Sequence, residues 1–131
     1  MSLRDELVQT LLEMSEAGQS QASLGVIKML KQYMTKFSSL LGPTLVEVMF
    51  TRCADRHRTS FPWLPLLQRT HSRSEILKLL EESFSTHSAY QVDCATRALL
   101  STHIDMLFGM IGETLTVQFV CNIAAQRTPK G

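Results

Sequence analysis

A chain of 131 residues, 44% hydrophobic and 19% charged, is long enough to bury one core and too apolar to stay disordered. Its net charge of +1 and pI near 7.8 argue against a dedicated nucleic-acid domain, for which a pI above about 9 is expected. No apolar run reaches the roughly 18 residues of a membrane span, and three scattered cysteines without a CxxC pair make no disulfide framework.

Helical periodicity runs through the chain, and no stretch alternates cleanly at period two. Leu3, Leu7, Val8, Leu11, Leu12 and Met14 predict a first amphipathic helix that stops near Gly18, with Asp5 and Glu6 at its positive end. The opening Met1–Glu6 reaches acid too soon for a secretory leader. Cys53, Cys94 and Cys121 sit in apolar helical settings, so the expectation is a cytoplasmic protein with reduced thiols.

A second helix is predicted from about Ser23 to Leu41, with Val26, Ile27, Leu30, Tyr33, Met34, Phe37, Leu40 and Leu41 as its stripe. Gly42-Pro43 interrupts it, and Pro43 opens a third helix to about His57. Residues 58–71 form a connector, because Pro62 and Pro65 forbid a regular helix across Trp63. Ser72, with Glu75 three residues on, spells a capping box for a fourth helix carrying Ile76, Leu77, Leu79, Leu80 and Phe84. A fifth helix is expected from Ser88 to Phe108, with His103 among its inward positions. Gly109 and Gly112 mark the next break, a sixth helix continues to about Ala125, and Thr128–Gly131 reads as a frayed tail.

The expected fold class is therefore all-α, a single domain spanning 1–131 built as a five- or six-helix bundle. Shifting the chain by 70 residues places Leu7 on Leu77, Leu30 on Leu100, Gly42 on Gly112 and Leu45 on Leu115. Two pseudo-repeated three-helix halves, 2–57 and 72–126, are expected from that match, joined by the connector. Charge is uneven along the chain: residues 1–20 are net −3, 21–80 net +6 and 81–131 net −2. Complementarity within the fold is the expected use of that asymmetry, ahead of an anionic partner.

Phe37-Ser38-Ser39-Leu40-Leu41-Gly42-Pro43-Thr44-Leu45-Val46-Glu47-Val48-Met49, with Ser74–Glu81, resembles helical segments that accompany bacterial signalling proteins, among them serine/threonine kinases and roadblock-type regulators. The resemblance implies a bacterial regulatory or interaction module. It covers under half of the chain, departs from the pattern at the Trp63 connector, and carries over no functional residue.

Candidate chemistry is thin. His103 on a long helix invites a phosphotransfer reading, but Ile104 and Asp105 stand where a Lys-Gly pair is needed, so a buried structural histidine is expected. Cys53 and His57, at i and i+4, can face one ion but lack further ligands, and no metal or cofactor is expected. Cys94 and His87 are not placed as nucleophile and base, and Glu81 and Glu82 point to different helix faces. Arg52, Arg56, His57 and Arg58, with Arg69 and Arg73 nearby, sit where cations satisfy a helix C-terminus; this explanation is preferred over DNA or RNA contact.

The connector Phe61-Pro62-Trp63-Leu64-Pro65-Leu66-Leu67 holds the only tryptophan, read as a lid over the core or as an anchor for a partner, with the lid favoured. Candidate partner-binding residues are accordingly Trp63, Phe61, Leu64, Arg52, Arg56 and Arg58. The expected role is a noncatalytic protein-interaction or regulatory module that forms a homodimer, driven by the apolar sixth helix and the long stripe from Val26 to Leu41. A small-molecule sensor with a pocket between the halves is the alternative, and an enzyme with dispersed catalytic residues comes third. No membrane partner is expected.

Overall fold

The computed structural model describes residues 2–16, 22–68 and 70–126, which form six helices and no strand. They are α1 (Leu3–Glu16), α2 (Ala22–Leu41), α3 (Pro43–His57), α4 (Arg73–Ser85), α5 (Ala89–Ile111) and α6 (Glu113–Gln126). The all-α bundle expected from the 3.6-residue periodicity is what forms. Among the described residues, no helix is long and apolar enough to cross a membrane. Gly18 and the tail from Thr128 lie outside the described residues.

The helix boundaries follow local chemistry. Ser72 caps α4: its hydroxyl accepts from the Glu75 amide while Glu75 reaches back to the Ser72 amide at 2.7 Å. Ser88 and Gln91 repeat that arrangement at the head of α5. The expectation that α5 ends at Phe108 is corrected, because the helix passes through Gly109 to Ile111. Glycine inside a helix costs only about 1 kcal/mol, and Gly109 stands in open space at a helical φ.

The chain turns instead at Gly42 (φ 88°) and Gly112 (φ 87°), both with extended ψ. Only glycine visits that region at little cost. Each glycine closes the preceding helix by donating to the carbonyl four residues back: Gly42 to Ser38 at 2.8 Å, and Gly112 to Phe108 at 3.1 Å. Each then lends its own carbonyl to the next helix, accepting from Val46 and Thr116.

The packing of the helices has a two-part order. α2 lies against α4 as α5 lies against α1, and α3 lies against α5 as α6 lies against α2. α2 and α5 also touch each other directly. Where they meet, Tyr33 of α2 contacts His103 of α5, two positions 70 residues apart. One contact breaks the correspondence: α1 packs closely along α2, with no comparable contact between α4 and α5.

A single core joins all six helices and the connector, with Leu11, Leu30, Tyr33, Phe37, Phe50, Phe84, Leu100 and Ile123 fully buried. Most of the apolar stripe of α2 and the inward face of α6 are therefore buried inside the chain. Val26, Met29, Leu30, Met34 and Phe37 are buried, as are Val120 and Ile123. Leu40, at 40% exposure, is the residue of the α2 stripe left outward. The apolar residues of α6 have their cover within the same chain.

Candidate functional site

Three places in the bundle gather polar or reactive side chains: the centre, the connector, and the outward face of α2.

At the centre, Tyr33 lies 5.0 Å from Phe37 and 6.3 Å from Phe50, ring centroid to centroid, and Phe50 is 4.8 Å from His103. The Tyr33 hydroxyl and His103 Nδ1 are 2.6 Å apart. With the hydroxyl donating, the imidazole proton rests on Nε2, which is buried with no hydrogen-bond partner. Burial drives the His103 pKa down to about 3. Burial likewise pushes the Cys53 thiol up to about 12 and raises the Tyr33 phenol well above its usual value. At neutral pH the cluster is uncharged: a neutral imidazole, a protonated thiol and a phenol. The imidazole is fully enclosed in the way of a structural histidine, and these side chains fill the space between α2, α3 and α5.

His57 does not join Cys53 at an ion. Its Nε2 is 2.6 Å from the Thr102 hydroxyl, and burial together with the Arg56 charge lowers its pKa. Among the described residues, no three His, Cys, Asp or Glu side chains gather as metal ligands. His87 is engaged away from Cys94, with Nδ1 donating to the Ser83 carbonyl at 2.9 Å and its ring stacked on Trp63.

The connector is stitched to α4. The Trp63 ring stacks on His87 at 4.0 Å and meets Phe84 and Phe61 edge-on at 6.0 and 6.1 Å. The Ser83 hydroxyl donates to the Trp63 carbonyl. Trp63 and Phe61 are half-buried against the core, and Leu64 is 3% exposed within it. Trp63 thus lies over the end of α4, with its ring neighbours all from the connector and the second half. Leu66, 60% exposed, is the apolar connector residue that faces outward.

The candidate arginines belong to α3 and its C-terminal cap. Arg52 lines a cleft of about 420 Å³ between α3 and the connector, with Val48, Thr51, Asp55, Leu67 and Gln68. Arg58 is tied to Asp55 at 2.7 Å, and Arg56 is exposed. Arg69 lies outside the described residues. Of the candidate partner-binding residues, Phe61 and Trp63 are in ring contact and Leu64 is buried beneath them, while Arg52 and Arg56 lie on α3 and Arg58 at its C-terminal end.

The third place was not singled out by sequence. Lys28, Lys31, Gln32, Thr35, Lys36 and Ser39 line an open groove of about 520 Å³ along α2. Their spacing of three and four residues puts them on one helix face. α2 carries three lysines and no acidic residue. Lys36 Nζ lies 5.5 Å above the Phe119 ring, which stacks on Phe37. Gln32 buries its Oε1 without a hydrogen-bond partner.

The ion pairs among the described residues join Arg4 to Asp5 and Asp105, Arg58 to Asp55, and Arg97 to Asp93. Among the described residues, none of them couples the basic middle of the chain to its acidic ends. The signal in the sequence was legible in principle: a helix whose only charges are three lysines on one side of its axis.

No family model, curated protein or solved structure matches this chain.

Proposed function

We propose that this chain is a noncatalytic interaction module that associates with a second copy of itself. The observation that carries the reading is the α2 groove, a lysine-lined surface with no carboxylate paired to it among the described residues. A row of like charges on a folded surface raises its energy and is relieved by an anionic partner. The reactive side chains support the noncatalytic part: His103 and Cys53 are committed to the core in their neutral forms. The regulatory setting rests on the resemblance carried by residues 37–49 and 74–81.

The 70-residue correspondence of Gly42 with Gly112 and Tyr33 with His103 supports a further reading, that the bundle is a duplicated three-helix unit. A module of that kind presents two related frames whose outer faces can diverge.

Sedimentation of the full chain tests the proposal. A dimer that dissociates on dilution is expected, since a specific pair buries more than about 1,000 Å². A 14.8 kDa monomer persisting at high micromolar concentration removes the reading.

A further inference from the structure

We infer that the lysine groove of α2 docks the outward face of α1 from a second copy of the chain. This inference rests on the self-association reading above and assigns its surface.

The two faces are complementary in charge. On α1, Glu6 and Glu13 are exposed on the same side as Gln9 and Thr10, and the one basic residue of the helix, Arg4, is committed to Asp5 and Asp105. On α2, Lys28 and Lys31 are exposed and Lys36 borders the groove. The ladders also match in length. At a rise of 1.5 Å per residue, Glu6 to Glu13 spans about 10 Å and Lys28 to Lys36 about 12 Å.

Each stripe begins with an outward leucine, Leu3 at 36% and Leu24 at 44% exposure, which supplies apolar area beside the charges. Gln9, midway along the acidic stripe, donates its amide to Glu13 at 3.2 Å and so holds that carboxylate on the outward face. α1 and α2 pack against each other within one chain, so both stripes sit on neighbouring helices. A twofold axis then makes the α1–α2 contact twice, as an isologous interface requires.

Nucleic acid fits the groove less well. Binding of single strands relies on aromatic platforms open to stacking, whereas Phe119, the ring at this groove, already stacks on Phe37 beneath Lys36. α2 also contains no arginine for bidentate phosphate contacts.

The experiment is a charge swap read by sedimentation equilibrium on the full chain. Lys28→Glu/Lys31→Glu and, separately, Glu6→Lys/Glu13→Lys each place like charges across the interface. Each is expected to raise the dimer dissociation constant on the order of a hundredfold. Mixing the two variants should restore a dimer, because the reversed charges again complement, and the wild-type dimer should weaken as salt is raised.

At a dilution where the wild type is monomeric, the circular dichroism melt of Lys28→Glu/Lys31→Glu, both exposed positions, should overlay the wild type. Glu6→Lys/Glu13→Lys, which loses the acidic charge at the head of α1, should stay folded and melt slightly lower. If both variants remain dimeric, self-association stands and this interface is wrong. If each variant is a folded monomer but the mixture does not recombine, the charge match is wrong. A wild-type monomer overturns the self-association reading itself. If that monomer also binds a single-stranded oligonucleotide, and Lys28→Glu/Lys31→Glu abolishes the binding, the groove belongs to nucleic acid.

Discussion

The two longest helices, α2 and α5, meet at the centre of the bundle, yet they differ in what they carry. Both end on a glycine with φ near 87°. Both send a ring to their point of contact, Tyr33 from α2 and His103 from α5. Outside, α2 is a row of lysines, whereas α5 neutralises itself, with Arg97 bonded to Asp93 at 2.8 Å and Asp105 bonded to Arg4. The inner faces and the turns obey one set of constraints, because a packed core and a positive φ admit few residues. The outer faces obey none of them, and there the two helices part.

The largest expected effect comes from the place where the helices meet and differ, His103. Its folded pKa of about 3 lies below the unfolded value of 6.5. Between those values the unfolded chain holds the extra proton, so the stabilisation is complete above pH 6.5 and is lost progressively as the pH falls towards 3. At 1.36 kcal/mol per pKa unit, the loss reaches on the order of 5 kcal/mol at the acid end and about 2 kcal/mol by pH 5.

His57, with a pKa also lowered, acts in the same direction and more weakly because it is largely hydrated. Urea melts from pH 7 to pH 5, above the carboxylate range, should show the decline. His103→Gln, which keeps a side-chain acceptor near Tyr33, should flatten most of it. An unchanged slope in that variant would place the acid sensitivity elsewhere and leave the α2–α5 contact indifferent to its histidine.

The next effect tests what the helices share. An alanine at Gly42 or Gly112 meets no neighbouring atom within 4 Å, so its cost is purely that of the backbone. A side chain in this mirror-β region costs about 1–3 kcal/mol. Gly42→Ala and Gly112→Ala should each lower the unfolding free energy by that amount, measured in denaturant at pH 7. Gly109→Ala, at a helical φ and in open space, should stabilise by about 0.5–1 kcal/mol instead. Equal losses at 42 and 112 sharpen the correspondence; a loss at only one breaks it.

How much of this was legible follows from the same division. The helices were legible because each buries a stripe, and stripes repeat at a fixed period. The Ser72 box was legible because two side chains three residues apart satisfy two amides. Gly109 misled because sequence does not reveal whether a glycine is needed for its φ or merely tolerated; only Gly112 takes the positive value.

The connector was legible as a break but not in its docking. Two prolines exclude a helix, and nothing in the sequence tells Trp63 that its stacking partner is His87. The lysine face of α2 escaped because charge was summed over long segments, where Lys28, Lys31 and Lys36 vanish among nearby arginines. Counted on one helix face, they form a row. That Arg4 takes Asp105 as its partner depends on the tertiary placement of α1 against α5, which no local pattern carries.

The smallest effect concerns the outer face of α5. Arg97 and Asp93 form an i, i+4 pair at 2.8 Å with both side chains more than a third exposed. Hydration and salt leave such a pair worth about 0.3–0.5 kcal/mol. Arg97→Ala should therefore shift the denaturation midpoint barely beyond error, and it should leave the sedimentation behaviour of the chain unchanged. Lys28→Glu/Lys31→Glu should do the reverse, with a lost dimer and a melt unmoved at dilutions where the wild type is also monomeric. The contrast separates two uses of surface charge. On α5 the opposite charges are already matched within one turn, so removing one changes little that a second molecule would feel. On α2 no carboxylate among the described residues forms an ion pair with the lysines, so on the proposed reading their repulsion is relieved by the acidic stripe of another chain. A dimer that weakens on Arg97→Ala as much as on the α2 substitutions would erase that distinction and move the interface to α5.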